Sequence, residues 1–303
     1  MRTFSLTMAL LAAACRINEL SSQPLPGAAI DTVGASPGGG TVSAQSARPC
    51  GYKISEDWVN YDRSTQHDEI TVSITYGPSG LDISEQGVDG NHNVVIQNSS
   101  DYDSAGNLIQ YTYVRNDPSY SAKATEWAAY DSFGRLVRYS EDDDGDGEVD
   151  VVTTFAYGGD GRRASAHSAT TSSLFGPSAN YDRYYRYDAE GRLAETDKDV
   201  GYNGSIDEIL LVHYDDDARI ETRTRKDLKG TVIGNGTTYY DAEYHISNAE
   251  DVFIRNNGTD TYEYAYLDGR AVSQSLTSEN VRASDLAMSE YVWTLTYNYG
   301  RCN

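Results

Sequence analysis

The stretch YDSFGRLVRYSEDDDGDGEVDVVTTFAY, residues 130–157, holds one complete structural unit. It opens on Tyr130-Asp131, with Gly134 three residues after the Asp. That spacing is a type I turn with Asp at its first position and Gly at its last, and an Asp there accepts a backbone N–H two residues on. The segment RLVRYSE then alternates as a half-buried strand does. A second turn follows at Asp146-Gly147, and VVTTFAY alternates back to the next Tyr. Asp-Gly and Asn-Gly are hairpin signals because both residues tolerate positive φ. The unit reads as two strands.

The pattern recurs. It stands as YDSAGNL from Tyr102 and YDAEGRL from Tyr187, with looser copies from Tyr76, Tyr157, Tyr214, Tyr240 and Tyr266. The spacings between these tyrosines are 26, 28, 27, 30, 27, 26 and 26. Counting back 26 residues from Tyr76 reaches Cys50, which opens a divergent first copy. A fixed period of this length marks a repeat architecture. The expected fold is all-β: an antiparallel meander of about nine β-hairpin repeats of ~27 residues, curled into a closed or nearly closed barrel- or shell-like sheet. Tight turns line one edge and longer acidic loops the other. Leu108, Leu136, Leu193, Ile220, Ile246 and Val272 each stand six residues after a motif Tyr and should stack into cross-strand ladders. Because the tyrosines are locked to the repeat, they read as structural. A sugar-binding platform is the alternative.

The YDxxGRL motif at this period resembles the YD repeats of Rhs-type and teneurin-like proteins, over about residues 76–299. It is most similar to small bacterial lipoproteins that alternate such repeats with DxDGDG hairpin tips. In the large relatives these repeats form a spiralling β-shell around a toxin cargo. The resemblance implies a fold here and little about function.

Composition agrees with that fold class. Tyr is abundant (25) and Phe scarce (5), with 27 Gly and 7 Pro among 303 residues. The formal net charge of −22 repels nucleic acid and anionic membrane surfaces and keeps an exported protein soluble. The N-terminus MRTFSLTMALLAAAC has one early Arg and an apolar run too short to span a bilayer, followed by small residues and Cys15. Residues 1–14 read as a signal peptide. The LAAAC ending resembles a lipoprotein signal, which implies lipidation at Cys15. Arg16, in place of an Asp, implies the outer membrane. Residues 15–49 are then the lipidated Cys and a flexible Gly/Ser/Pro-rich tether, and residues 50–303 are the repeat domain. The expected location is the bacterial cell envelope, with the membrane held through the lipid anchor.

No HExxH, CxxC, GxSxG or phosphate-binding Gly loop occurs. His67, His92, His167, His213 and His245 are scattered, and no enzyme is expected. The reading is a cell-envelope lipoprotein in a binding or structural role. A carbohydrate-binding module using exposed Tyr and acidic loops is the alternative, with an unidentified protein or glycan partner. Cys50 and Cys302 remain as an even pair once Cys15 carries lipid, which suggests a disulfide between the two ends of the domain. Asp142, Asp144 and Asp146 alternate before Gly147, with Glu148 and Asp150 following, like a DxDxDG calcium loop. Thr153 stands at the twelfth position, where an EF-hand carries a bidentate Glu, so affinity should be weak. The loop DKDVGYNGSID keeps Asp199, Asn203 and Asp207 but lacks the middle acid, and should be weaker still. Ca²⁺ is thus the expected ion, in a structural role. Leu174 and Phe175 sit in an unusual loop and are a candidate contact site.

Overall fold

The structure, a computed structural model, describes residues 49–298 apart from 61–64, 118–119, 173–178, 241–245, 254–257, 268–269 and 280–287. Eighteen strands follow in chain order: β1 Gly51–Asn60, β2 Thr65–Tyr76, β3 Asp82–Val88, β4 Val94–Tyr102, β5 Leu108–Asp117, β6 Tyr120–Tyr130, β7 Leu136–Asp142, β8 Val151–Tyr157, β9 Arg163–Thr170, β10 Tyr181–Tyr187, β11 Leu193–Val200, β12 Glu208–Asp215, β13 Ile220–Asp227, β14 Val232–Tyr240, β15 Ile246–Phe253, β16 Gly258–Leu267, β17 Arg270–Glu279 and β18 Met288–Asn298. All belong to one sheet and pair antiparallel with their sequence neighbours. No α-helix occurs among the described residues. β1 bonds β2 on one side and β18 on the other, from Gly51↔Asn298 to Asn60↔Met288.

The YD motif explains its own turn. Asp131 N–H donates to the Arg135 carbonyl (2.9 Å) and Gly134 N–H to the Asp131 carbonyl (3.0 Å). Asp103 and Asp188 repeat both bonds. The Gly must adopt positive φ, +76° at Gly134, where a Cβ is strained. The residue after the Gly has a role that the motif alone does not assign. Arg135 Nε, Arg192 Nε and Asn107 Nδ2 each donate to the second carboxylate oxygen of their motif Asp, at 2.8–2.9 Å. These bonds hold the Asp131 and Asp103 carboxyls below the usual carboxylate range. The same Arg then reaches the next unit, with Arg135 over the Tyr157 ring at 4.5 Å and Arg192 over Tyr214 at 4.4 Å.

The tyrosines are tied to the sheet. Tyr130 Oη donates to the Leu108 carbonyl, Tyr157 to Leu136 and Tyr187 to Arg163, at 2.8–3.0 Å. Each bond joins one unit to the unit before it. We expect Tyr130→Phe to cost about 0.5–1.5 kcal/mol, the net value of one such bond, measured by urea unfolding. Unchanged stability would mean that water replaces the hydroxyl without loss.

The pairing register also slips just before seven motif tyrosines; at Ala129/Tyr130, for example, it skips Val137. Bulges bend a strand and raise its twist. Repeated along one edge, they curl the sheet. The buried Arg115–Glu56 ion pair (3.1 Å) records this curvature. β1 and β5 are four strands apart, about 19 Å on a flat sheet, and their side chains meet only across a concave face. That face carries the core: Ile70, Val72, Ile96, Leu108, Tyr111, Tyr113, Ala128 and Leu136, with Tyr52, Tyr130, Tyr139 and Phe155 packed on it. The opposite face is polar, with Thr71, Ser73, Thr75, Gln86, Gln97 and Ser99 exposed.

Cys15 with residues 1–14, Cys302, and Leu174 and Phe175 lie outside the described residues. Cys50 immediately precedes β1 and is not free.

Candidate cation site

The loop after β7 is built around one buried carboxylate. Asp142 ends β7 at 1% exposure. Its Oδ1 accepts Gly145 N–H (2.7 Å) and its Oδ2 accepts Gly147 N–H (3.0 Å). Both glycines have positive φ, +73° and +95°. Asp150 closes the loop from the other side: its Oδ2 accepts Asp143 N–H (2.9 Å), and its own N–H donates to the Glu141 carbonyl (2.7 Å). Asp144 and Asp146 accept the amides two residues on, at 3.1 and 2.8 Å.

This corrects the turn expected at Asp146-Gly147. Asp146 does not take positive φ, so the connection is a long loop folded over Asp142 rather than a two-residue hairpin turn. The Asp142 carboxylate outcompetes the hairpin because it satisfies two backbone donors at once. The wrap brings one ligand oxygen each of Asp142, Asp144 and Asp146 within 4.8 Å of one another. Three of the five acids therefore converge. Glu148 is exposed and outside the group, and Asp150 serves as the loop's clasp.

The loop of residues 201–207 has the same design. Asp199, 4% exposed, accepts Asn203 N–H (3.0 Å) and Gly204 N–H (2.8 Å), and Asp207 Oδ2 accepts Val200 N–H (2.8 Å). Asn203, like Asp146, lacks positive φ, so this connection too is a loop folded over a buried carboxylate rather than a two-residue hairpin turn. Gly201 stands where the first loop has Asp144. The three residues expected as weaker ligands fold this loop, and no second group of converging acids occurs among the described residues.

Behind the first loop the concave face holds acids that the sequence motifs do not mark. Glu126 on β6 pairs in register with Glu141 on β7. Glu126 is 1% exposed, and neither of its carboxylate oxygens has a hydrogen-bond partner; one Asp143 oxygen is also unpaired. Burial, then the charges of Glu141 and Asp143, push the Glu126 carboxyl up to about 8. Burial and its acidic neighbours raise Asp143 to about 7, and burial raises Glu141. A signal existed in the sequence: on the alternating face Ala122, Ala124, Glu126, Ala128, one Glu interrupts three alanines.

No family model and no curated protein matches the chain. Among solved structures, a porin-like protein from Bacteroides uniformis is similar over 82% of this chain and 96% of its own, at 13% identity and TM-score 0.45. The structure of TcdB2-TccC3 without its hypervariable C-terminal region is similar over 76% of this chain and 15% of its own, at 11% identity and TM-score 0.28. The Photorhabdus luminescens Tc holotoxin pore is similar over 75% and 15%, at 10% identity and TM-score 0.25. No helix among the described residues is long and apolar enough to cross a membrane.

Proposed function

We propose that the chain is a non-enzymatic cell-envelope lipoprotein, tethered through Cys15, whose curled β-domain is a structural module stiffened by calcium. The convergence of Asp142, Asp144 and Asp146 carries the calcium part of this reading, and the short apolar run ending in LAAAC supports the anchor. Their oxygens suit a hard cation, Gly147 supplies the sharp turn, and the Glu148 carbonyl is the proposed further ligand. Glu141 and Asp143 flank Asp142 in the chain, and a cation in the loop offsets their charge when they ionise. The structural role is supported over the sugar-binding one by Tyr130, Tyr157 and Tyr187, which are half-buried and donate their hydroxyls to backbone carbonyls of the sheet.

With three carboxylates the affinity is expected at roughly 10⁻⁴–10⁻³ M, as in extracellular modules. At about 5 mM calcium and the weaker limit, linkage adds about 1 kcal/mol, which raises Tm by roughly 2–4 °C in a domain of this size. Asp144→Ala removes a converging oxygen without touching the bonds that Asp142 and Asp150 make to the loop backbone, and should abolish most of that rise. Magnesium at matched ionic strength is the control. Equal protection by magnesium, or a wild-type response in the variant, would reduce the effect to charge screening.

A further inference from the structure

The concave face changes character at β10. On β2–β9 it is packed with buried side chains, but on β10–β13 Tyr181, Arg183, Tyr185, Lys198, Leu210, Val212 and Arg223 are only half-buried. The charged residues of this face on β10–β13 are Arg183, Lys198, Arg223 and Arg225 against Glu208, Glu221 and Asp227, a net positive stretch in a chain with 46 acids and 24 bases.

Register defines the cluster. Arg183 on β10 stands opposite Lys198 on β11, and like charges directly opposite one another are destabilising. The other neighbour of Arg183, on β9, is Ala166. Lys198 pairs across β12 with Glu208, and Glu208 is also taken by Arg225 Nε at 3.1 Å. Glu208 stands opposite Asp227 on β13, so two carboxylates face the three cations Arg183, Lys198 and Arg225. Arg183 Nε is buried without a hydrogen-bond partner. Arg183 and Lys198 both stand over the Tyr181 ring, at 5.1 and 4.3 Å, and neither makes an ion pair among the described residues. Arg163 extends the cluster over Phe155 and Tyr185, at 4.3 and 5.6 Å. Burial, then the charges of Arg183 and Arg225, depress the Lys198 ammonium. The aromatic rings hold the cations in place without neutralising them.

We propose that Arg183, Lys198 and Arg225 form a binding site for a doubly charged oxyanion, a phosphate or sulfate group, on the concave face of β10–β13. Glu208 and Asp227 leave the three cations with net positive charge, which a bound oxyanion offsets, and its oxygens accept from the guanidinium N–H groups and the ammonium. Arg225 is 44% exposed and marks the open side of the cluster. The site is independent of the calcium loop, which joins different strands.

The test is titration of the full chain in calcium-free buffer, with sodium sulfate or inorganic phosphate against sodium chloride at matched ionic strength, read by melting and by calorimetry. The oxyanions should raise Tm where chloride does not. Lys198→Met and Arg183→Gln should each weaken oxyanion binding at least tenfold, while Arg183→Lys, which keeps the charge, retains part of it. The double variant R183Q/K198M should melt no lower than wild type in chloride, since repulsion is relieved. A sugar phosphate distinguishes the source: equal affinity points to the free ion, and tighter binding points to the group carried on a sugar. Protection by chloride equal to that by sulfate and phosphate, or unchanged binding in both single variants, overturns the site.

Discussion

Glu126→Gln is expected to stabilise the domain at pH 8.5 and to flatten its dependence on pH. The Glu126 carboxyl is buried among Ala124, Ala128, Tyr139, Glu141 and Asp143. Its ordinary value near 4.5 is raised to about 8, so the folded chain binds this proton more tightly than the unfolded chain. Stability is therefore greatest below about 4.5, as far as this group is concerned, and falls as pH rises through the window up to about 8. Each tenfold difference in proton affinity between the folded and unfolded chain is worth about 1.4 kcal/mol, so the loss is on the order of 4–5 kcal/mol. Gln has nearly the same volume and does not ionise, so it avoids most of that loss. Urea unfolding of both proteins at pH 5 and pH 8.5, without calcium, measures it. Parallel pH profiles for variant and wild type would show that water or a rearrangement of neighbours already relieves the buried charge.

What was legible in the sequence was the local geometry. Asp131 with Gly134 dictates a turn wherever it occurs, because the carboxylate and the positive-φ residue are bound within five residues. The alternation from Leu136 onward then sets which residues face the core. Asp142, Asp144 and Asp146 were legible as converging oxygens for the same reason of short range. The loop's closure was less so: Asp142 and Asp150 act as loop fasteners, and a pattern that calls every acid a ligand does not separate fasteners from ligands. The role of Arg135 was half legible. Its hold on Asp131 is local, but its stacking on Tyr157 depends on the next unit's register. The Arg183–Lys198–Arg225 cluster was not legible, since its members come from three strands and meet only once pairing is fixed. Glu126 lay between these cases: the lone acid among alanines was visible, but its facing Glu141 was not.

Replacing Cys50 and Cys302 together by Ser is expected to have the largest effect on the global fold. Gly51 pairs with Asn298, so the chain enters β1 and leaves β18 at the same edge of the sheet. Cys50 is one residue before that pair and Cys302 four residues after it, a reach that suits a bond spanning roughly 4.4–6.8 Å between Cα atoms. We propose that these two cysteines are joined and that the bond holds the β1–β18 seam. In the chain-entropy model a loop of this length contributes up to about 5 kcal/mol, and removal of a native bond typically costs about 2–5 kcal/mol. At roughly 2–4 °C per kcal/mol, Tm should fall on the order of 10 °C. The damage should also be local in kind. Once the seam opens, β1 and β18 become edge strands with a row of unpaired N–H and C=O groups, the template for aggregation. Amide exchange should therefore accelerate in β1 and β18 before it does in β5 and β6, which keep both neighbours. Non-reducing mass spectrometry should recover one peptide containing both cysteines. Two free thiols in freshly isolated protein would sink the bond. An exchange pattern in which β1 opens no sooner than β5 would show that strand pairing alone holds the seam.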